Sequence, residues 1–354
     1  MFENVSSSDR ILAIQRLTAL WALNECGLGG FLHALQSPFT GLLVGSFAMI
    51  CIAFICSLAE NKWQSMMTSL AIVLVIKALV SPHTSPTAYI AVVFQGLTGA
   101  LIYRFIPGFL FSSILFLTLG LIESAIQRLL TLAILYGNTI WEAINIWGAW
   151  VAKEWGVILP FSSSRLIIFL YLGIHFIAGI LVGWGTYKMI RFAKEHWGEK
   201  KYQLQLKADD KKQVFNSNGG NKKKWRRYLL FFILTIMIIA AYLIQGGKSG
   251  IQKGLISILR SVLILTIWFV FLAPFMIRLL NKWLHKKHEQ LAKEISLTME
   301  MFPQLFWILD KAWKETRNLK MIERWKIFVL NTFLYILQYK SHDDPDPYRP
   351  DTKP

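Results

Sequence analysis

"FTGLLVGSFAMICIAFICSL", Phe39 to Leu58, is twenty residues without a charge. At about 1.5 Å per residue a helix of that length spans about 30 Å, the thickness of a bilayer's hydrocarbon core. Arg165 to Tyr187 is a second such run, with one basic residue at its start. The 354-residue chain is 54% hydrophobic and 17% charged, with a mean hydropathy of +0.43. An apolar excess that arrives in long runs predicts an all-α, polytopic membrane protein, not one large soluble core. The N-terminus is polar and no A-x-A-like site follows a short apolar core, so no cleavable signal peptide is expected.

Charge sets the direction of the runs. Residues 1–187 hold 8 basic and 7 acidic residues, 188–227 hold 13 and 4, and 228–354 hold 17 and 10. The basic block at 188–227 sits between apolar runs and is the positive-inside signature, which predicts a cytoplasmic location for it. It has little aromatic interleaving and abuts membrane spans, so no nucleic-acid partner is expected. Anionic headgroups of the bilayer are its natural neighbours.

Counting back from that block gives six spans: 11–35, 39–58, 66–80, 87–102, 107–133 and 166–187. Arg10, Lys62 and Arg104 then all fall on the inner side, with the N-terminus. Splitting 107–151 into two spans gives seven, but moves Lys62 and Arg104 outside, against the charge rule. Residues 134–164 form an outer connection with Trp141, Glu142, Trp147, Trp150 and Trp155, a composition suited to a membrane interface. Two further spans are expected at 228–245 and 255–274, with basic amphipathic cytoplasmic helices over 276–326 and a disordered tail over 341–354.

The first span is unusual. "ALWALNECGLGGFLHALQSPFTG", Ala19 to Gly41, carries Asn24, Glu25 and His33 before it breaks at Ser37-Pro38. Ionisable groups in a bilayer usually face a wet cavity or a bundle interior and mark function. His33, with His83 in the outer loop "SPHTSP", and Glu25, about 12 Å deeper on its helix, outline an outward pocket. The alternative is plain helix glue: Asn24 and Glu25 bonding across helices. His175, within "YLGIHFIAGILVGWG", reads as a helix-packing hydrogen bonder. Lys77, Glu123, Gln127 and Arg128 are the other polar residues in apolar surroundings; Glu123 and Arg128, five apart, do not stack as a pair. Gly179 and Gly183, extended by Ala178 and Gly185, and "GLTGA" at 96–100 predict close helix contacts. Cys26, Cys51 and Cys56 lie in apolar runs without metal spacing and read as small packing residues.

Six spans with both ends inside, a first span rich in small residues, "PFTGLLVGSF" at 38–47 and the closing "HFIAGILVGW" together resemble the S component of energy-coupling factor (ECF) vitamin transporters. The resemblance covers residues 11–190 and is one of pattern, since no short motif defines that family. It implies a solute in an outer cavity capped by the connection between the first two helices, here 33–38. It also implies that Ala13, Ala19 and Ala22 dock a coupling subunit. Glu294 to Lys320, with Phe302-Pro303, Asp310, Ala312 and Arg317, resembles a coupling helix of the T component of the same transporters. "GLISILRSVLILTIWFVFLAPF", Gly254 to Phe275, resembles a T-component span. Where that family carries Ala-Arg-Gly to engage ATPases, this chain has Glu315-Thr316-Arg317-Asn318.

The division expected is therefore a six-span solute-binding domain (1–190), a basic linker (191–227), a two-span region with coupling-like helices (228–340) and a tail. Asn24, Glu25, His33, His83, Trp141 and Trp147 are the candidate solute contacts, and Lys314 and Arg317 the candidate coupling residues. The partners implied are a small solute, the lipid bilayer of the cell (inner) membrane, separate ATPase subunits and a T component. The outer tryptophans suit a flat vitamin-like ring; three histidines and Glu25 leave a transition metal as the second solute class. No cofactor is expected. The chain has no phosphate loop, since "QGGKSG" at 245–250 lacks the first glycine spacing, and no G-x-S-x-G, H-E-x-x-H or C-x-x-C. Two other classes stay open: a membrane enzyme on a lipid or polyprenyl substrate, with Glu25, His33 and His83 as acid–base groups, and a non-transporting scaffold or sensor acting through 276–326.

Overall fold

A computed structural model describes residues 4–29, 39–81, 86–137, 139–154, 162–204 and 289–339, with Phe2 and Gly156. These residues are helical, with no strand among them. In chain order the helices are α1 (Ser7–Leu23), continued by a π-helical turn (Asn24–Leu28), α2 (Thr40–Leu58), α3 (Lys62–Val80), α4 (Pro86–Phe105), α5 (Phe109–Tyr136), α6 (Thr139–Glu154), α7 (Ser163–Glu195), α8 (Glu289–Glu300), α9 (Phe302–Glu315) and α10 (Met321–Gln338).

Local chemistry sets the boundaries. Ser6 caps α1, its hydroxyl accepting from the Asp9 amide at 3.1 Å. Asn61 caps α3 by accepting from the Gln64 amide at 3.2 Å. Such side chains satisfy amides that the first helical turn leaves without carbonyl partners. Gly108, at φ +85°, turns the chain between α4 and α5 in a region that favours glycine. Asn145 of α6 accepts from the Ser164 amide at 2.8 Å and so caps the start of α7.

Five helices, α2, α3, α4, α5 and α7, are long and apolar enough to cross a membrane, which makes this a multi-pass membrane protein. They correspond to five of the six expected spans. Of the first expected span, 11–35, residues 11–28 lie in α1 and its π-helical turn; α1, at 17 residues, is not among the five. The further expected spans at 228–245 and 255–274 lie outside the described residues, as does the tail.

α2 is the most buried span, with α1, α3, α4, α5 and α7 around it. α5 and α7 pack along each other at very short range. A Cβ on Gly179 would stand 2.5 Å from the Thr118 Cα, and one on Gly183 2.6 Å from the Ile114 Cα, so glycine is what lets the backbones meet. Gly185, expected to extend this face, has nothing within 4 Å of such a Cβ and is not part of it. Gly96 abuts Leu70, and Gly99 abuts Ile52 and Phe116, as the "GLTGA" pattern predicts. The other side of α7 leaves Phe169, Leu170, Ile177 and Leu181 exposed, the face a lipid-contacting helix presents. Cys51 and Cys56 are buried and all three cysteines are free.

The described C-terminal helices α8, α9 and α10 belong to the same compact unit as the described residues up to Leu204. Phe333 of α10 stacks on Phe54 of α2 at 4.9 Å and lies 5.5 Å from Phe47. The Gln338 amide group donates to the His196 carbonyl at 3.2 Å and accepts from the Gly198 amide at 2.8 Å. Pro303 lies in the first turn of α9, where its missing N–H costs nothing.

Candidate solute-binding site

The site begins with the π-helical turn. Such a turn inserts a residue into an α-helix, re-aims the side chains beyond it and recurs at functional positions. Here Asn24 donates from Nδ2 to the Val44 carbonyl of α2 at 3.0 Å, which ties the turn to the neighbouring span. Glu25 then faces α3, where Lys77 Nζ stands 2.5 Å from its Oε2. Both side chains are removed from water, with exposures of 6% for Glu25 and 2% for Lys77. Either charge alone would cost several kcal/mol at that depth; each compensates the other. The Lys77 ammonium also lies 5.8 Å from the centre of the Tyr89 ring of α4.

A cavity of about 60 Å3 adjoins this pair. It is lined by Glu25, by the first residues of α2 (Thr40, Gly41, Val44, Gly45), by Lys77, by the first half of α4 (Thr87, Ala88, Ala91, Val92, Gln95) and by Ser124 and Gln127 of α5. Gln127 donates to the Thr87 carbonyl at 2.8 Å and so ties α5 to the start of α4. Gln95 is 3% exposed, and its Oε1 has no hydrogen-bond partner. An unpaired buried carbonyl oxygen costs about 1–3 kcal/mol. At roughly 10–15 Å3 per water the cavity has room for a handful of waters or one small polar group.

The cavity lies at one end of the bundle. It uses the starts of α2 and α4, the last turn of α3 and the second half of α5. The opposite end holds Arg10, which pairs with Glu60 at 2.7 Å, and Lys62, which donates to the Tyr103 carbonyl at 2.8 Å.

Glu25 is thus in the site, and Asn24 supports it from behind. His33 and His83 lie outside the described residues. Trp141 is half-buried and Trp147 exposed on α6, and neither lines the cavity, so the stacking surface expected from them is not part of it. His175 is buried but its Nδ1 lies 2.8 Å from the Tyr171 carbonyl of its own helix, which corrects the expectation of a bond between helices. Among the described residues no group of three His, Cys, Asp or Glu could hold a metal ion.

The coupling candidates divide into buried alanines on α1 and exposed basic residues at the end of α9. Ala13, Ala19 and Ala22 are completely buried within this chain, so a separate subunit finds no surface there. α9 turns Leu305, Ile308 and Ala312 inward, while Phe306 stays exposed. Lys314 is exposed and pairs with Asp310 at 2.6 Å; Arg317 is exposed just past the helix end.

Sequence reasoning named Glu25 and Lys77 but did not join them, and it missed Gln95. A signal existed. In the six-span count the two charges have opposite sign and lie on spans that run in the same direction, but Glu25 sits several residues deeper in its span than Lys77 in its own. Compared with known proteins, the chain matches no family model, no curated sequence and no solved structure.

Proposed function

We propose that this chain is the solute-binding membrane subunit of an ATP-driven importer, organised like an ECF S component, with its own coupling helices α8–α10. One observation carries the reading: a buried Glu25–Lys77 ion pair that lines a cavity between membrane-length helices. Polar groups that expensive mark function by default. The positive-inside rule supports an outward-facing cavity, since the basic residues Arg10, Lys62 and Arg104 cluster at the other end. Tags placed after Arg10 and within 59–65 are then shielded from impermeant reagents in intact cells.

The C-terminal helices support coupling within the chain. α9 and α10 both touch α1, the helix whose alanines the S-component resemblance assigns to the coupling partner. The free end of this hairpin presents Lys314, Arg317 and Lys320 to solvent, a basic surface for an ATPase subunit. The acid–base enzyme reading loses weight because the Glu25 carboxylate is held by Lys77.

Uptake of a solute pool in cells with and without co-expressed ATPase subunits tests this reading. Transport is expected only with the ATPase, and it is expected to stop in the Lys314→Glu/Arg317→Glu double variant while the purified protein still retains solute in native mass spectrometry. Transport that survives the double reversal overturns the coupling assignment.

A further inference from the structure

We infer that α6 lies in the plane of the membrane surface and inserts Ile146, Trp147 and Trp150 into the headgroup region of the bilayer at the cavity end of the bundle. This placement is independent of what the cavity binds.

Two neighbours fix the position of α6. It joins the end of α5 to the start of α7, both of them membrane-length helices, and the second half of α5 lines the cavity. The middle of α6 crosses the first turn of α7. Asn145 accepts from the Ser164 amide at 2.8 Å, and Gly148 lies so close to Ser163 that a Cβ would not fit between them. Exposed apolar side chains on α7 begin one turn further on, at Ile167, and continue with Phe169 and Leu170. α6 thus crosses at the level where the lipid-contacting face of α7 ends and the polar boundary of the bilayer begins.

The sequence of α6 divides its circumference into three sectors. Gly148, which is buried, and Asn145 are turned to α7. Ala143, Ile146, Trp147 and Trp150 are all exposed and, at about 100° per residue, fall within about 100° of one another. Ile146 is 73% exposed, Trp147 61% and Trp150 60%, so the chain itself leaves this apolar sector open. Glu142 and Lys153 are exposed as well and share the adjoining sector, about three turns apart. Glu154 enters the apolar sector only at the last residue of the helix, where its side chain can reach past the end to water.

An apolar sector beside a charged one, on a helix laid across the end of a bundle, is the pattern of an interfacial helix. Tryptophan suits that boundary because its ring is apolar while its N–H finds water or a headgroup oxygen. The occupant of the open sector is therefore lipid, continuous with the lipid around α7. Trp147, which does not line the cavity, gains a lipid contact in place of a solute contact.

The test reads depth and surroundings directly. Single spin labels are attached through Glu142→Cys, Ala143→Cys, Ile146→Cys, Trp150→Cys or Lys153→Cys in the full chain, with Cys26, Cys51 and Cys56 replaced by alanine. EPR in phosphatidylcholine nanodiscs then compares relaxation by oxygen, which concentrates in the bilayer, with relaxation by a water-soluble nickel chelate. Labels at 143, 146 and 150 are expected to respond more to oxygen and to lie at one depth near the lipid phosphates. Labels at 142 and 153 are expected to respond more to nickel. Dominance of nickel at 146 and 150 places that face in water and overturns the proposal. So does protection from both reagents, which places protein, a second copy included, over this face. A depth that changes by about 10 Å from 143 to 150, the rise of seven helical residues, makes the helix upright and overturns it too. A second measurement keeps the native cysteines. Lipids brominated near the top of their acyl chains are expected to quench the wild type more than Trp147→Phe/Trp150→Phe, and the excess is expected to shrink with lipids brominated near the chain ends. Equal quenching of wild type and double variant by both lipids overturns the proposal.

Discussion

Glu25 and Lys77, 52 residues apart in sequence, form an ion pair that joins the π-helical turn after α1 to the last turn of α3. Breaking one side leaves a buried charge, which typically costs about 3–5 kcal/mol, whereas replacing both by apolar residues is often close to neutral. Lys77→Met and Glu25→Leu alone are therefore expected to lower the thermal midpoint in detergent sharply. The double variant is expected to recover most of the loss. A double variant as unstable as the sum of the singles would mean that the two groups do not compensate each other.

The α5–α7 contact depends on glycine. A methyl at Gly183 would stand 2.6 Å from the Ile114 Cα and 2.9 Å from the Ser113 carbonyl oxygen, atoms of a helix backbone that yield only by moving the helix. Gly183→Ala is expected to destabilise by about 1–3 kcal/mol, the range for overpacking. Gly185→Ala, on the same helix with open space around it, serves as the control and is expected to leave the unfolding midpoint unchanged.

Phe333 is the C-terminal anchor, stacked on Phe54 and fully enclosed. Phe333→Ala is expected to cost about 3–5 kcal/mol, as for other buried aromatic truncations. A chain ended after Leu204 loses the same cover over Phe47 and Phe54 and is expected to unfold at a lower temperature than the full protein. Equal midpoints in a thermal melt would show that α10 adds no stability to the membrane bundle.

Tyr335 of α10 donates to Glu315 of α9 at 2.5 Å. Burial first, and then the hydrogen bond to the Glu315 carboxylate and its charge, push the phenol above its ordinary value of 10.0. The folded phenol keeps its proton to higher pH than the unfolded one, so its contribution is complete below pH 10 and fades as pH rises beyond it. Tyr335→Phe has no such proton. Its midpoint is expected to fall less between pH 9 and pH 11 than that of the wild type; parallel pH profiles would remove Tyr335 from the linkage.

The sequence by itself determined the class and most of the element order. Uncharged runs such as Phe39–Leu58 can only be bilayer-length helices, because no other backbone arrangement of that length satisfies its own polar groups in lipid. The Gly179/Gly183 spacing announced a close helix contact because a helix places residues four apart on one face. Partnership across the chain was decided only by the tertiary structure. Lys77 for Glu25, Thr118 for Gly179 and Phe54 for Phe333 are each set by which helices become neighbours, and a helical period specifies the face a residue occupies without naming what lies opposite. The same limit hid Gln95: a glutamine in an apolar run has a donor and an acceptor wherever it lies, and only the packed bundle leaves its Oε1 buried beside a cavity with nothing to accept from.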